Sequence, residues 1–181
     1  MHCWKTINVK KQYGFDRLFT LSMLTGFGVF MVFYIVIGIF FSADLSDQYF
    51  LAFILSVIAI YPIHKFCHFF PLLKSRQCVR LVIKKRFGFL PLISLRVNEP
   101  VPKMQFILSL ITPFILINSL ILLLALSFPT FSHYFAMLFA YHVGLCLTDL
   151  IYMKNLARSP KDALIEETEN GFEILLPEPT V

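Results

Sequence analysis

At 181 residues, with 57% hydrophobic side chains, 15% charged side chains and a mean hydropathy of +0.73, the chain departs from the composition of soluble domains. Those average about 45–50% apolar and about 25% charged. Twenty-one Phe and seven Tyr add more aromatic surface than a small water-facing fold can bury. These values exclude disorder, collagen-like repeats and nucleic-acid modules and leave an integral membrane protein, so the +5 net charge must be read by position.

Four stretches are long enough to cross about 30 Å of hydrocarbon at about 1.5 Å per residue: 18–43, 49–70, 104–127 and 130–153. The expected fold class is all-α, four transmembrane helices with a small cytoplasmic β-hairpin between the second and third, in a single membrane domain. Lys5, Lys10, Lys11 and Arg17 precede span 1, and eight basic residues from Lys74 to Lys103 separate spans 2 and 3. Lys154, Arg158 and Lys161 follow span 4. The connections after spans 1 and 3 contain no Lys or Arg, so fifteen of sixteen basic side chains share one side. That asymmetry predicts a multi-pass cell-membrane protein with both termini cytoplasmic. Span 1 is about twice the length of a signal-peptide core and no A-x-A-like site follows it, so it is expected to be retained. Cys3, Cys67, Cys78 and Cys146 fall in or near the cytoplasmic half, where disulfides are not expected.

Two polar segments lie outside the spans, a basic hairpin over 74–103 and an acidic tail over 154–181. Val79, Leu81 and Ile83 alternate with Arg80, Val82 and Lys84 at a strand period, Phe87-Gly88-Phe89 supplies a turn, and Leu92 to Val97 returns. The two prolines in Asn98–Pro102 end that ladder. Ser159-Pro160-Lys161-Asp162 reads as the start of a short helix running to about Thr168. Asn170-Gly171 then turns into a third strand, Phe172–Leu176. The tail's six acids oppose the hairpin's charge, which predicts docking of one on the other. Within the spans, Ser22-x-x-x-Gly26 with Gly28 forms a small-residue packing face, Pro113 and Asn118 mark a kink with local hydrogen bonding, and Trp4 and Tyr13 are interfacial anchors.

The sharpest chemical pattern is His64-Lys65-Phe66-Cys67-His68 late in span 2. Residues four apart on a helix lie about 40° apart and can share one ion. The same spacing suits two interfacial histidines with Lys65 reaching the headgroups. In span 4, His142, Cys146 and Asp149 share one stripe. His64 lies 15 residues from Tyr49 and Asp149 lies 15 residues from Tyr134, in spans running in the same direction, so both sit about 22 Å down. Two histidines and a carboxylate at one depth form a three-ligand zinc set, His64, His68 and Asp149. Asp149 is otherwise a partner for Lys65 or an acid in water near the helix end. His142, an alternative ligand, lies about 10 Å further out along span 4, with a contact to Asn118 as its quieter role. Cys146 is an alternative ligand or, like Cys67, a small apolar residue.

This arrangement resembles a bacterial membrane family of zincin peptidases related in motif to the site-2 protease group. The resemblance rests on the late histidine pair, the hairpin, Val101-Pro102-Lys103 leading into Thr112-Pro113-Phe114, His142 through Thr148-Asp149-Leu150, Arg158-Ser159-Pro160 and an acidic end with Asn170-Gly171. It implies zinc held by His64, His68 and Asp149. It also implies a glutamate where this chain has Lys65. That glutamate is the general base, and an ammonium cannot take the proton. The resulting expectation is a degenerate peptidase with no catalytic residue, residing in the lipid bilayer, with a transmembrane client segment as partner and no nucleic acid. The alternative is a non-catalytic membrane interaction or immunity-type protein with no metal. A small transporter is disfavoured by the scarcity of intramembrane polar groups and of repeat halves.

Overall fold

A computed structural model of the chain describes residues 2–40, 44–72, 79–85, 91–97, 100–168 and 171–176. The turn expected at Phe87–Phe89, and Cys78, lie outside the described residues. The order is β1 (His2–Ile7), α1 (Val9–Tyr13), α2 (Phe15–Phe40), α3 (Phe50–Cys67), α4 (Phe69–Leu72), β2 (Val79–Lys85), β3 (Pro91–Val97), β4 (Val101–Pro102), α5 (Lys103–Ser127), α6 (Ser132–Ala157), β5 (Leu164–Thr168) and β6 (Gly171–Leu176). A 3-10 turn, Pro129–Phe131, leads from α5 into α6. The molecule is mostly helical, and four of its helical segments are long and apolar enough to cross a membrane: Phe15–Phe40, Phe50–Leu72, Lys103–Ser127 and Pro129–Ala157.

Helix α6 packs against both α2 and α5. The α2 contact is close because a Cβ on Gly26 would meet the Ala140 carbonyl oxygen at 3.1 Å, and one on Gly144 would meet that of Ser22 at 3.0 Å. Phe33 stacks on Phe139 across the same seam, with centroids 4.5 Å apart. Gly28 takes no part in the close approach, since a Cβ there would meet nothing within 4 Å. Helix α3 closes the other side of the bundle, with Ile60 and Cys67 against Ile117, Ile121 and Leu138. Most large apolar side chains of α2 point away from the protein.

A four-stranded antiparallel sheet, ordered β1-β6-β5-β4, covers one end of the bundle. Its inner face buries Ile7, Val101, Ile165 and Ile174 against Leu72, Phe106, Leu110 and Leu156. This sheet exceeds the expected β content, contains the strand expected at Phe172–Leu176 as β6, and corrects two expectations. The short helix expected after Ser159 is instead strand β5. Ser159 Oγ donates to the Leu156 carbonyl, ending α6 rather than starting a helix. Strand β6 pairs with β5 and with the amino-terminal β1, while β2 and β3 form a separate two-stranded sheet. Finally, Val101 and Pro102 do join a ladder, opposite Ile165 and Leu164, because β4 is an edge strand, where a proline lacking its N–H is tolerated. With β1 beside β6, the first and last described strands lie at the same end of the bundle.

At the other end, Ser46 N–H donates to the Thr130 carbonyl. The Tyr134 hydroxyl and His133 Nε2 both lie 3.3 Å from Asp47 Oδ1.

Candidate metal centre

Helix α3 ends at Cys67, and His68 follows as its cap at φ −60° and ψ −25°. These angles prolong the helical path by one residue, so the i, i+4 relation to His64 survives the end of the helix. The two Nε2 atoms are 3.2 Å apart and the rings are edge-on. From α6, Asp149 Oδ2 reaches to 3.1 Å from His64 Nε2 and 3.5 Å from His68 Nε2. Three donor atoms from two helices thus form a small triangle, buried where the bundle meets the sheet.

The protons on the rings follow from their other partners. His68 Nδ1 lies 2.8 Å from the Ser109 carbonyl oxygen. A carbonyl only accepts, so Nδ1 holds the hydrogen and Nε2 presents its lone pair. That carbonyl is free because Pro113, four residues on in α5, has no N–H to bond it. Ser109 Oγ returns a bond to the His68 carbonyl at 2.6 Å. His142 Nδ1 is 2.8 Å from Asn118 Oδ1 in the assigned amide orientation. His142 Nε2 is then bare and accepts from His64 Nδ1 at 3.1 Å, which leaves His64 Nε2 bare as well. Two imidazole lone pairs and a carboxylate oxygen therefore converge. Asp149 Oδ2 is buried and meets no hydrogen-bonding geometry among the described residues, despite its short distance to His64. Three acceptors facing one another are repulsive unless a metal ion or a proton lies between them.

A helical bundle whose buried polar groups converge in this way defines a protein with a candidate three-donor metal centre. A family model described as "putative zincin peptidase" matches residues 57–164, and the chain belongs to that family. No curated protein and no solved structure matches it.

The family suggests zinc, and the donors fit it. Bonds of about 2.0–2.2 Å in a tetrahedral arrangement set ligand atoms roughly 3.3–3.5 Å apart. The observed edges are 3.1, 3.2 and 3.5 Å. Each histidine also passes its remaining N–H to a fixed acceptor, the arrangement that orients metal-bound imidazoles.

Of the other residues singled out from the sequence, Lys65 is half-buried and follows His64 on the same turn. His142 lies behind His64 and makes the contact to Asn118. Cys146 Sγ packs against both His142 and His64. Cys67 sits in the apolar cluster of α3, α5 and α6 rather than among the donors.

Two residues of consequence escaped the sequence reading. Ser109 holds His68 through both its carbonyl and its hydroxyl, and the available signal was a proline four residues downstream. Lys103, counted among the basic hairpin residues, is buried and donates to the Ser159 and Ala157 carbonyls at 2.6 and 3.3 Å. Its own N–H bonds the Ala163 carbonyl. A cation at the carboxyl end of α6 suits the helix dipole and ties Val101-Pro102-Lys103 to Arg158-Ser159-Pro160.

Proposed function

We propose that this chain is a multi-pass membrane protein that holds zinc through His64, His68 and Asp149 but has lost peptidase chemistry, a pseudopeptidase of the zincin family. The observation that carries the reading is the triangle of bare acceptors beside a lysine in the motif's general-base position. Bound zinc would supply Lewis acidity to a carbonyl at the site. The chain's own residues do the rest of what is visible. His68 and His64 are held in one tautomer by Ser109 and by the His142–Asn118 pair, and Asp149 provides the negative charge that offsets a dication. Lys65 has three donors and no acceptor, so it cannot take a proton from an attacking water. The loss of a general base costs about 10²–10⁴-fold in rate.

Exposed apolar side chains along α2 support residence in a bilayer. The placement of β1 beside β6 agrees with termini on one side, which the distribution of basic residues makes the cytoplasm. The partner this reading implies is a client's transmembrane segment, recognised without cleavage.

The test is zinc per chain, by elemental analysis of protein purified without a metal-affinity tag. Near-stoichiometric zinc that disappears in both His64→Ala and Asp149→Ala is expected. A folded, monodisperse wild type without zinc would overturn the metal reading and favour a metal-free interaction protein. Lys65→Glu should raise cleavage of a membrane-span reporter above background, by up to about 10²–10⁴-fold. Cleavage by the wild type at a rate equal to that of Lys65→Glu would refute the loss of activity.

A further inference from the structure

The edge strand β1 overhangs the helices it covers. Across the β1–β6 ladder, Lys5 lies opposite Ile174 and Ile7 opposite Phe172. Residues directly opposite in an antiparallel pair share a face. Ile174 is buried in the core beneath the sheet, whereas Lys5 is exposed. Lys5 is therefore on the face turned toward the bundle, but beyond the helices' cover. A register shift between Cys3 and Lys5 skips Trp4, which is 45% exposed. Such a bulge re-aims a side chain out of the ladder.

The backbone that follows is fixed. Val9 is fully buried and pins α1 to the same core. Asn8 caps α1, its Oδ1 accepting from the Lys11 N–H at 2.8 Å. Gly14, at φ +78°, then turns the chain into α2, in a conformation that most side chains resist. Lys11, Tyr13 and Arg17 are exposed on either side of that turn. Phe15, the first residue of α2, is 72% exposed and marks where contact with lipid tails begins. Helix α1 and the overhanging part of β1 thus stand at headgroup level.

Residues 2–17 contain four basic side chains, Lys5, Lys10, Lys11 and Arg17, and one acid, Asp16. The neighbouring acid of β6, Glu173, is opposite Thr6 and so on the outer face, away from Lys5. Tryptophan and tyrosine favour the membrane–water interface. Each Lys or Arg near an anionic bilayer surface strengthens association by about fivefold. We propose that Trp4, Lys5, Lys11, Tyr13 and Arg17 form a docking surface for anionic phospholipid headgroups of the cytoplasmic leaflet. A soluble acidic partner fits less well, because Lys5 is on the face turned toward the bilayer. The inference rests on the membrane reading above and not on zinc. Lipid held there would clamp the edge of the sheet against the membrane surface.

Trp4 is the only tryptophan in the sequence, so its emission reports on this surface alone. The full-length chain would be reconstituted in mixed phosphatidylcholine and phosphatidylglycerol vesicles. In one set the phosphatidylglycerol carries bromine as quencher, and in the other an equal mole fraction of the phosphatidylcholine does. Quenching should show association with phosphatidylglycerol stronger by about fivefold or more, and added salt should erode that preference. The folded Lys5→Gln/Lys11→Gln/Arg17→Gln variant should lose most of it, while Lys154→Gln/Lys161→Gln, on the same side of the membrane, should keep it. Equal quenching by the two brominated lipids, in protein that an alkaline wash leaves in the vesicles, would overturn the docking surface and leave the membrane reading standing. A preference undiminished in the triple variant would overturn it as well. Protein released by the wash would overturn the membrane reading, and the docking surface with it.

Discussion

Around His64, fixation is by side chains. His68, Asp149, His142 and Asn118 come from α3, α5 and α6, or from the residue that caps α3, and each contact needs one particular atom at one place. In the sheet at the end of the bundle, β1, β6, β5 and β4 are joined by main-chain ladders, and the side chains need only be apolar on the inner face. The first region should be brittle in chemistry and tolerant in stability. The second should be the reverse.

The largest break in that comparison is Asp149→Ala, expected to weaken zinc binding by more than about 100-fold, because it removes a ligand and not merely a ligand's partner. Pro113→Ala should separate the two properties by sign. It restores an N–H that competes for the Ser109 carbonyl, so zinc affinity should fall about 10–100-fold. Thermal stability should hold or rise, since a proline inside a helix costs about 3 kcal/mol relative to alanine. Equilibrium zinc competition alongside thermal unfolding reads both, and a loss of stability without loss of affinity would contradict the assignment of His68. In the sheet, Gly171 sits at φ +136°, and a Cβ there would overlap the Ile7 carbonyl oxygen. Gly171→Ala should therefore destabilise the fold by about 1–3 kcal/mol while the folded fraction keeps wild-type zinc affinity. The smallest effect belongs to Ser127→Ala, whose hydroxyl belongs to an exposed residue and bonds the Leu123 carbonyl. It should move stability by no more than about 0.5 kcal/mol and leave zinc untouched.

The same contrast explains what could be read before the structure. The four long apolar helices were legible because the span lengths and the sparing of charge are properties of each segment alone. The nearness of Asp149 to His64 was legible by counting residues from Tyr49 and from Tyr134. Strand β5 was not. Ser159-Pro160-Lys161-Asp162 has every local mark of a helix start, and the outcome was decided by the hairpin partner β6 just downstream and by β4, which lies far from it in the chain. Strand β1 was missed for the same reason, since Ile7 finds its partner at Phe172. The hold of Ser109 on His68 was hidden because it runs through a backbone atom, and Pro113 read only as a kink.

The pairing of β1 with β6 has a consequence for the order in which the molecule is made. Chains emerge amino-terminus first, so His2–Ile7 is exposed long before Gly171–Leu176 exists to meet it. By then His64, His68 and Asp149 have all been synthesised, and the helices that hold them can assemble around an ion. The sheet is the last part to close. Until that moment β1 is an open edge, available to whatever extended chain reaches it first.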